Sequence, residues 1–325
     1  MLAIQVRDDD RHSLQLADFP DPVYRRHEVL LRVHATAVNR VDILQRRGLY
    51  PPPPGESPIL GMEAAGEIVA LGKHVTGWKV GDRVFCLLGG GGYAELVTVH
   101  PEMLLRLPSG WSFTQAAAIP EVFYSAFLNL FLEAKLKSRE IVLVHAGASG
   151  VGTAAIQLAR QAGALVIVTA GTDEKIQQCV MLGANHGVNY RKDDFVERVG
   201  KITNQAGVHV ILDCIGAAYL ERNLSLLQTQ GRLVLIGLMG GAKAEMDLAL
   251  LLRKRLRVIG SVLRSRGLQE KIKLTQLFRE KVMPQFENGS LQPVIDRAFP
   301  LAEAEAAHEC LRANLNVGKV VLEVG

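Results

Sequence analysis

The run Ile141-Val142-Leu143-Val144-His145-Ala146-Gly147-Ala148-Ser149-Gly150-Val151-Gly152 decides the fold of this chain. Four apolar residues, three of them β-branched, read as a buried strand. A turn of small residues follows, and a helix is expected from about Val151 to Ala162. Small residues let the backbone come close to a pyrophosphate, and the free N–H groups and positive end of the helix bind its charge. Gly147 and Gly152 keep the spacing of a dinucleotide fingerprint, with Ser149 in the middle position. Ser149 either narrows the approach to the pyrophosphate or donates a hydroxyl to it, and Gly150 and Val151 carry the chain into the helix.

A lone fingerprint is weak evidence; its surroundings strengthen it. Downstream come a strand at Leu165–Thr169, a helix at Asp173–Leu182 and a short strand near Gly187–Tyr190. Val208–Asp213, Arg232–Ile236 and Val258–Val262 continue the strand series. Strands alternating with helices need crossover connections, and hence a parallel sheet wrapped on both faces. Residues 121–266 are therefore expected to form a doubly wound α/β domain.

Upstream, residues 1–120 read as short strands and turns. Leu2–Val6, the alternating Glu28–Ala37, Ala64–Leu71, Arg83–Leu88 and Ala94–Val99 are the strand candidates. Their spacing, with frequent Gly and Pro, predicts a compact β-barrel-like domain. Pro51–Pro54 form a stiff extended segment that holds Tyr50 in a defined place. After Gly267 the pattern gives a long amphipathic helix towards Phe286, a return strand at Ser290–Phe299, a helix at Leu301–Leu311 and a last strand at Gly318–Val324. These pieces, 267–325, are expected to complete the first domain.

With 325 residues, 48% of them hydrophobic and 22% charged, the chain has the makings of a large globular core. Lys and Arg number 37 against 33 Asp and Glu, and the resulting charge of +4 is too small to imply nucleic acid as a partner. A cluster of Arg253, Lys254, Arg255, Arg257, Arg264 and Arg266 is either a solvated surface or a local field for a phosphorylated ligand. Cys86, Cys179, Cys214 and Cys310 are scattered, without a CxxC pair, and read as buried free thiols of a reducing compartment. The N-terminus shows no signal-peptide pattern and no apolar run reaches membrane-spanning length, so the cytoplasm is expected, with no membrane partner.

The end of the second strand of the α/β array speaks to the dinucleotide. NAD sites place a carboxylate there to accept from the ribose 2′-hydroxyl. Here Thr169-Ala170-Gly171-Thr172 leaves that position small, with room for a 2′-phosphate, and Lys175 one turn into the helix supplies positive charge. Asp173 keeps the alternative open, since a shift of a few residues would make it the ribose ligand. Reading Thr172 as the N-cap and Asp173 as first-turn helix chemistry favours NADPH.

Through NRVDILQRRGLYPPPPG (39–55), HAGASGVGTAAIQLAR (145–160), LDCIG (212–216), LIGLMGG (235–241) and NVGKVVLE (316–323), nearly the whole chain resembles the zinc-free quinone oxidoreductases of the medium-chain dehydrogenase/reductase superfamily. The resemblance implies a Rossmann domain joined to a GroES-like β-barrel substrate domain, NADPH as cofactor, a homodimer, and a quinone or similar electrophilic carbonyl as small-molecule substrate. Zinc-bearing relatives need a Cys, the His of a GHE motif and a four-Cys loop. The matching positions here read Asn39 and Gly61-Met62-Glu63, and the loop is missing, so no metal site is expected. Reduction of an electron-poor acceptor then fits better than alcohol oxidation.

The same resemblance puts Asn39, Asp42 and Tyr50 in the substrate pocket. Tyr50 would donate a hydrogen bond or proton to the quinone oxygen, Asn39 would fix the nicotinamide side and Asp42 would hold the loop. The bland alternatives are loop capping for Asn39 and Asp42, and plain packing for Tyr50. Carried over as cofactor contacts, beside Gly171 and Thr172, are Lys175 and Tyr190 at the adenosine phosphate and Cys214, Ile215 and Gly216 near the ribose and nicotinamide. Gly237, Leu238 and Met239 at another strand end, and Leu263, Asn316 and Lys319, complete the set. Cys214 reads equally as a buried small hydrophobe, and His145 as structural. The expected activity is NADPH-dependent quinone reduction, by hydride transfer or by single electrons with release of semiquinones. An NADPH-dependent enone reductase and a non-catalytic NADPH-binding redox sensor are the alternatives.

Overall fold

The computed structural model describes residues 1–325, and the chain separates into two units. Met1–Tyr124 with Arg264–Gly325 form one, and Ser125–Leu263 the other.

The second unit is built on a six-stranded, wholly parallel sheet. Its strands are Ile141–Val144, Leu165–Ala170, His186–Asn189, Val208–Asp213, Leu227–Leu235 and Arg257–Gly260, in the spatial order third, second, first, fourth, fifth, sixth. That is the doubly wound Rossmann order, and its direction reverses between Ile141–Val144 and Val208–Asp213. Val142, Leu143, Val144, Val166, Val168, Val210 and Ile211 are all buried, as expected of strands covered on both faces. Helices Gly150–Gln161, Asp173–Met181, Phe195–Ile202 and Leu220–Leu226 make the crossovers.

In the first unit a seven-stranded sheet is organised by the ten-residue strand Val29–Val38. One edge of this strand pairs with Glu63–Leu71 along most of its length. On its other edge Leu96–Val99 takes the first half and Lys319–Glu323 the second. Register shifts at Leu30/Leu31 and Val33/Ala35 mark where the strand changes direction. The C-terminal strand thus lies against Ala35–Val38 and carries Lys319 with it.

Several boundaries differ from the sequence expectation. The long helix after Gly267 is two helices, Leu268–Lys281 and Met283–Glu287, because Pro284 lacks the N–H that a continuous helix would need. The return strand is only Ile295–Pro300, Pro293 having no donor for a ladder. The strand expected at Arg232 begins at Leu227 instead. The helix after Ile295–Pro300 opens as a 3₁₀ turn, Leu301–Glu303, before Ala304–Arg312. Cys86, Cys179 and Cys310 are buried free thiols, while Cys214 is partly exposed. No helix is long and apolar enough to cross a membrane.

Candidate active site

In the second unit the fingerprint turn is fixed by close backbone approach. Ala146 takes a left-handed φ of 52°. A Cβ on Gly152 would lie 2.4 Å from the Ala146 carbonyl oxygen, and one on Gly147 would lie 2.7 Å from Val168 Cβ. Both positions therefore demand glycine. Ser149 caps the helix, its Oγ accepting from Gly152 N at 3.0 Å, which leaves the hydroxyl proton for an outside acceptor. This Gly-lined turn at a helix N-terminus fits a dinucleotide pyrophosphate.

A buried polar chain ties the carboxyl ends of the central strands. Asn223 bridges Asp213 (3.2 Å) and His145 Nε2 (2.7 Å), and His145 Nδ1 reaches Thr169 Oγ1 at 3.0 Å. Burial holds His145 neutral, its pKa lowered to about 4. Asn223 Oδ1 must accept, so Nε2 carries the proton and Thr169 donates to Nδ1. Asp213 also accepts from Ile215 N and Gly216 N, which shapes the Cys214-Ile215-Gly216 turn. The Gly237-Leu238-Met239 segment zips onto it through Met239 N to Cys214 O (3.1 Å) and Gly240 N to Ile215 O (2.7 Å). Leu238 and Met239 are exposed beyond it, while Leu263 is buried.

At the end of Leu165–Ala170, Thr172 caps the next helix by accepting from Lys175 N. Asp173, the alternative ribose ligand, is already engaged: it accepts from Asn189 Nδ2 at 2.7 Å and pairs with Lys192. These partners hold its carboxyl below the usual range. The Tyr190 hydroxyl lies 2.8 Å, and Arg191 Nε 3.4 Å, from where a Cβ on Gly171 would stand. Gly171 and Tyr190 thus meet, with Arg191 beside them, and Thr172 and Lys175 are joined through the helix cap; sequence reading had passed over Arg191.

The first unit contains a different kind of site. Asp42 has no exposed surface and accepts from Asn39 N (2.8 Å), Gly61 N (3.1 Å) and Tyr93 OH (3.3 Å). In keeping with its expected part in holding the loop, it ties the loop and the helix Arg40–Arg46 together from within. Behind Tyr93 stands His308, whose Nε2 is 3.0 Å from the hydroxyl and whose Nδ1 is 3.4 Å from Arg46 Nη1. A guanidinium only donates, so Nδ1 accepts and Nε2 carries the proton. Burial and the Arg46 charge lower His308 to about 3.

Lys319 is buried against the same loop. Its ammonium donates to Val38 O (3.1 Å), Asn39 Oδ1 (2.6 Å) and Glu63 Oε1 (2.8 Å), and only 3% of the side chain is exposed. All three donors are taken up by these bonds, which fix the side chain of Asn39. Asn316, buried, gives its amide to Gly318 O and shapes the turn before that strand. Asn39 Nδ2 donates to Glu63 Oε1 (2.8 Å) and Ala37 O (3.2 Å). The other Glu63 oxygen accepts from Glu121 N at 2.8 Å.

Glu121, missed in the sequence, is half-buried. Burial, then the charge of Glu63, pushes its carboxyl up to about 8. Tyr50 is half-buried, and desolvation raises its hydroxyl above the ordinary value, so it stays protonated. Arg264 lies over the Tyr50 ring, 5.8 Å from its centroid. The basic cluster read from the sequence does not act as one field, since Arg264 is buried, Arg266 pairs with Glu270 and Lys254 caps Ser225 O and Leu227 O.

The chain matches the alcohol dehydrogenase GroES-like domain family over residues 25–109 and the zinc-binding dehydrogenase family over 150–280. The quinone oxidoreductase of Sus scrofa is 33% identical over 308 residues, 94% of this chain and 92% of that one. This chain belongs to the quinone oxidoreductase family of the medium-chain dehydrogenases/reductases. Members of this family are oxidoreductase enzymes, and so is this chain. Among solved structures, the Escherichia coli quinone oxidoreductase complexed with NADPH is 30% identical with a TM-score of 0.88, covering 99% of this chain and 100% of that one. The CurK enoyl reductase is also 30% identical, TM-score 0.88, covering 100% and 99%.

The name of one matching family implies zinc, and the donor set does not fit it. No group of three or more His, Cys, Asp or Glu side chains could hold a metal ion. Where zinc-bearing relatives place ligands, this quinone oxidoreductase relative has an amide and a carboxylate already claimed by an ammonium.

Because Glu121 binds its proton more tightly folded than unfolded, its contribution to stability is complete below about pH 4.5 and disappears as pH rises through about 8. Glu121→Gln, which mimics the protonated form, should therefore gain stability over wild type progressively across that window. Parallel melting curves for the two proteins from about pH 5 to about pH 9 would sink the assignment.

Proposed function

We propose that this chain is an NADPH-dependent quinone oxidoreductase whose second unit holds the cofactor and whose first unit supplies Tyr50 to the acceptor. The observation that carries the cofactor choice is the engagement of Asp173 by Asn189 and Lys192. With Asn189 and Lys192 bound to it, the Asp173 carboxylate is already engaged and is not free to take a ribose 2′-hydroxyl. Arg191 and the Tyr190 hydroxyl flank Gly171 instead, and Lys175 lies one turn into the helix that Thr172 caps. The NADPH held by the Escherichia coli relative agrees with this reading.

The bound reduced nicotinamide supplies two electrons, as a hydride or one at a time. Tyr50, kept protonated by its partial burial, donates to the acceptor oxygen. Asn39 is locked by Lys319 and Glu63, which presets its orientation before any ligand arrives. Asp42 and Tyr93 hold the loop between them. A homodimer, by family resemblance, is part of the same reading, as is the cytoplasm expected from the N-terminal sequence and the unpaired cysteine pattern. A second reading, reduction of α,β-unsaturated carbonyls, is favoured by the likeness to the CurK enoyl reductase.

A cofactor-by-acceptor matrix tests these readings. NADPH should outperform NADH, and ortho- and para-quinones should outperform a simple enone; the reverse order of acceptors would transfer the assignment to enone reduction. Lys175→Ala should weaken NADPH by about tenfold to a hundredfold, the loss of one charge-assisted contact, and leave NADH nearly unchanged. Equal losses for both would contradict the phosphate site. Tyr50→Phe should lower turnover by about 10²–10⁴-fold; a change confined to KM would make Tyr50 a positioning residue.

A further inference from the structure

Arg264 is 97% buried, as its exposure of 3% implies, yet carries a full charge with no carboxylate in ion-pair range. Two of its nitrogens are fixed: Nε donates to Gly89 O at 2.8 Å and Nη2 to Gln45 Oε1 at 2.7 Å. Gln45 is itself held by Pro58 O, to which its amide donates at 2.9 Å. The third nitrogen, Nη1, is buried and has no hydrogen-bond partner. The nearby acids are committed elsewhere. Glu56 pairs with Lys271 at 3.6 Å, Asp42 accepts from two backbone amides and Tyr93, and Glu121 is neutral at ordinary pH. Desolvation accordingly lowers the guanidinium pKa.

A buried cation with an unmet donor is costly unless something supplies negative charge. Guanidinium recognises anionic oxygen in a planar, directional way, and this one lies over the ring of Tyr50. We propose that Arg264 is a substrate-binding residue, its Nη1 donating to an oxygen of the acceptor that carries or gains negative charge beside Tyr50. This rests on the quinone reductase reading and adds a substrate class: acceptors with an anionic oxygen, or whose oxygen becomes anionic on reduction. In the overall reaction NADPH is oxidised to NADP⁺, and the acceptor gains two electrons and two protons. One proton comes with the nicotinamide hydrogen and the other through Tyr50. Until the latter arrives, the reduced oxygen is an anion, and Arg264 stabilises it.

The probes are 2-naphthoate and its neutral isostere 2-naphthamide, titrated calorimetrically and tested as inhibitors against 1,2-naphthoquinone. Wild type should bind the carboxylate at least about tenfold more tightly than the amide, as one charge-assisted hydrogen bond requires, and naphthoate should compete with the quinone. Arg264→Gln should erase that preference and lower kcat/KM by about tenfold to a hundredfold, with the Kd for NADPH unchanged. Arg264→Lys, which keeps the charge, should restore part of the preference. Equal binding of the two probes by wild type overturns the proposal. So does a loss in Arg264→Gln that falls on NADPH affinity, which would assign the guanidinium to the cofactor. If Arg264→Gln does not fold, the wild-type comparison of the two probes still decides. Preferential naphthoate binding by a protein that fails to reduce quinones would keep the anion site and remove only the quinone reductase reading.

Discussion

The first unit depends on one carboxylate. Glu63 has no exposed surface, and its two oxygens gather three other segments of chain. Asn39 reaches it from the end of Val29–Val38, Lys319 from the C-terminal strand, and Glu121 N from the start of a helix. An unpaired carboxylate at this depth would be prohibitive, so the ammonium and the amide are obligatory companions. The same contacts leave Asn39 one orientation. The rigidity of the loop that carries Asn39 is thus a consequence of neutralising a buried charge.

A comparable constraint operates in the second unit without formal ion pairing. Asp213, Asn223, His145 and Thr169 form a chain in which every donor has an acceptor, provided that the imidazole stays neutral. Its low pKa secures this. The chain runs along the carboxyl ends of three adjacent strands, where ligands of doubly wound sheets bind. It fixes the backbone of the 213–216 turn while Leu238 and Met239 remain exposed for contact.

Ionisable groups with displaced pKa values collect in the first unit: Asp42 pushed up to about 6, Glu121 up to about 8, Tyr50 raised and Arg264 lowered. Desolvation is the leading cause in each case. Such concentrations mark functional sites, because a fold selected for stability alone would replace them with apolar residues.

The sequence by itself determined the architecture. The strand at Ile141–Val144, its glycine turn and the alternation that follows depend on short-range periodicity and on backbone conformations that few residues adopt, and both are written locally. The motif residues Gly147, Ser149, Gly152, Thr172 and Lys175 were legible for the same reason. Only tertiary structure decided the identity of charge partners. Lys319 and Glu63 are 256 positions apart, and whether an ammonium meets a phosphate or a buried carboxylate is set by strand pairing, which local pattern does not encode. Glu121 was passed over and Arg264 was read only as one charge of a basic cluster, because burial, which gives each its chemistry, is a property of the packed chain.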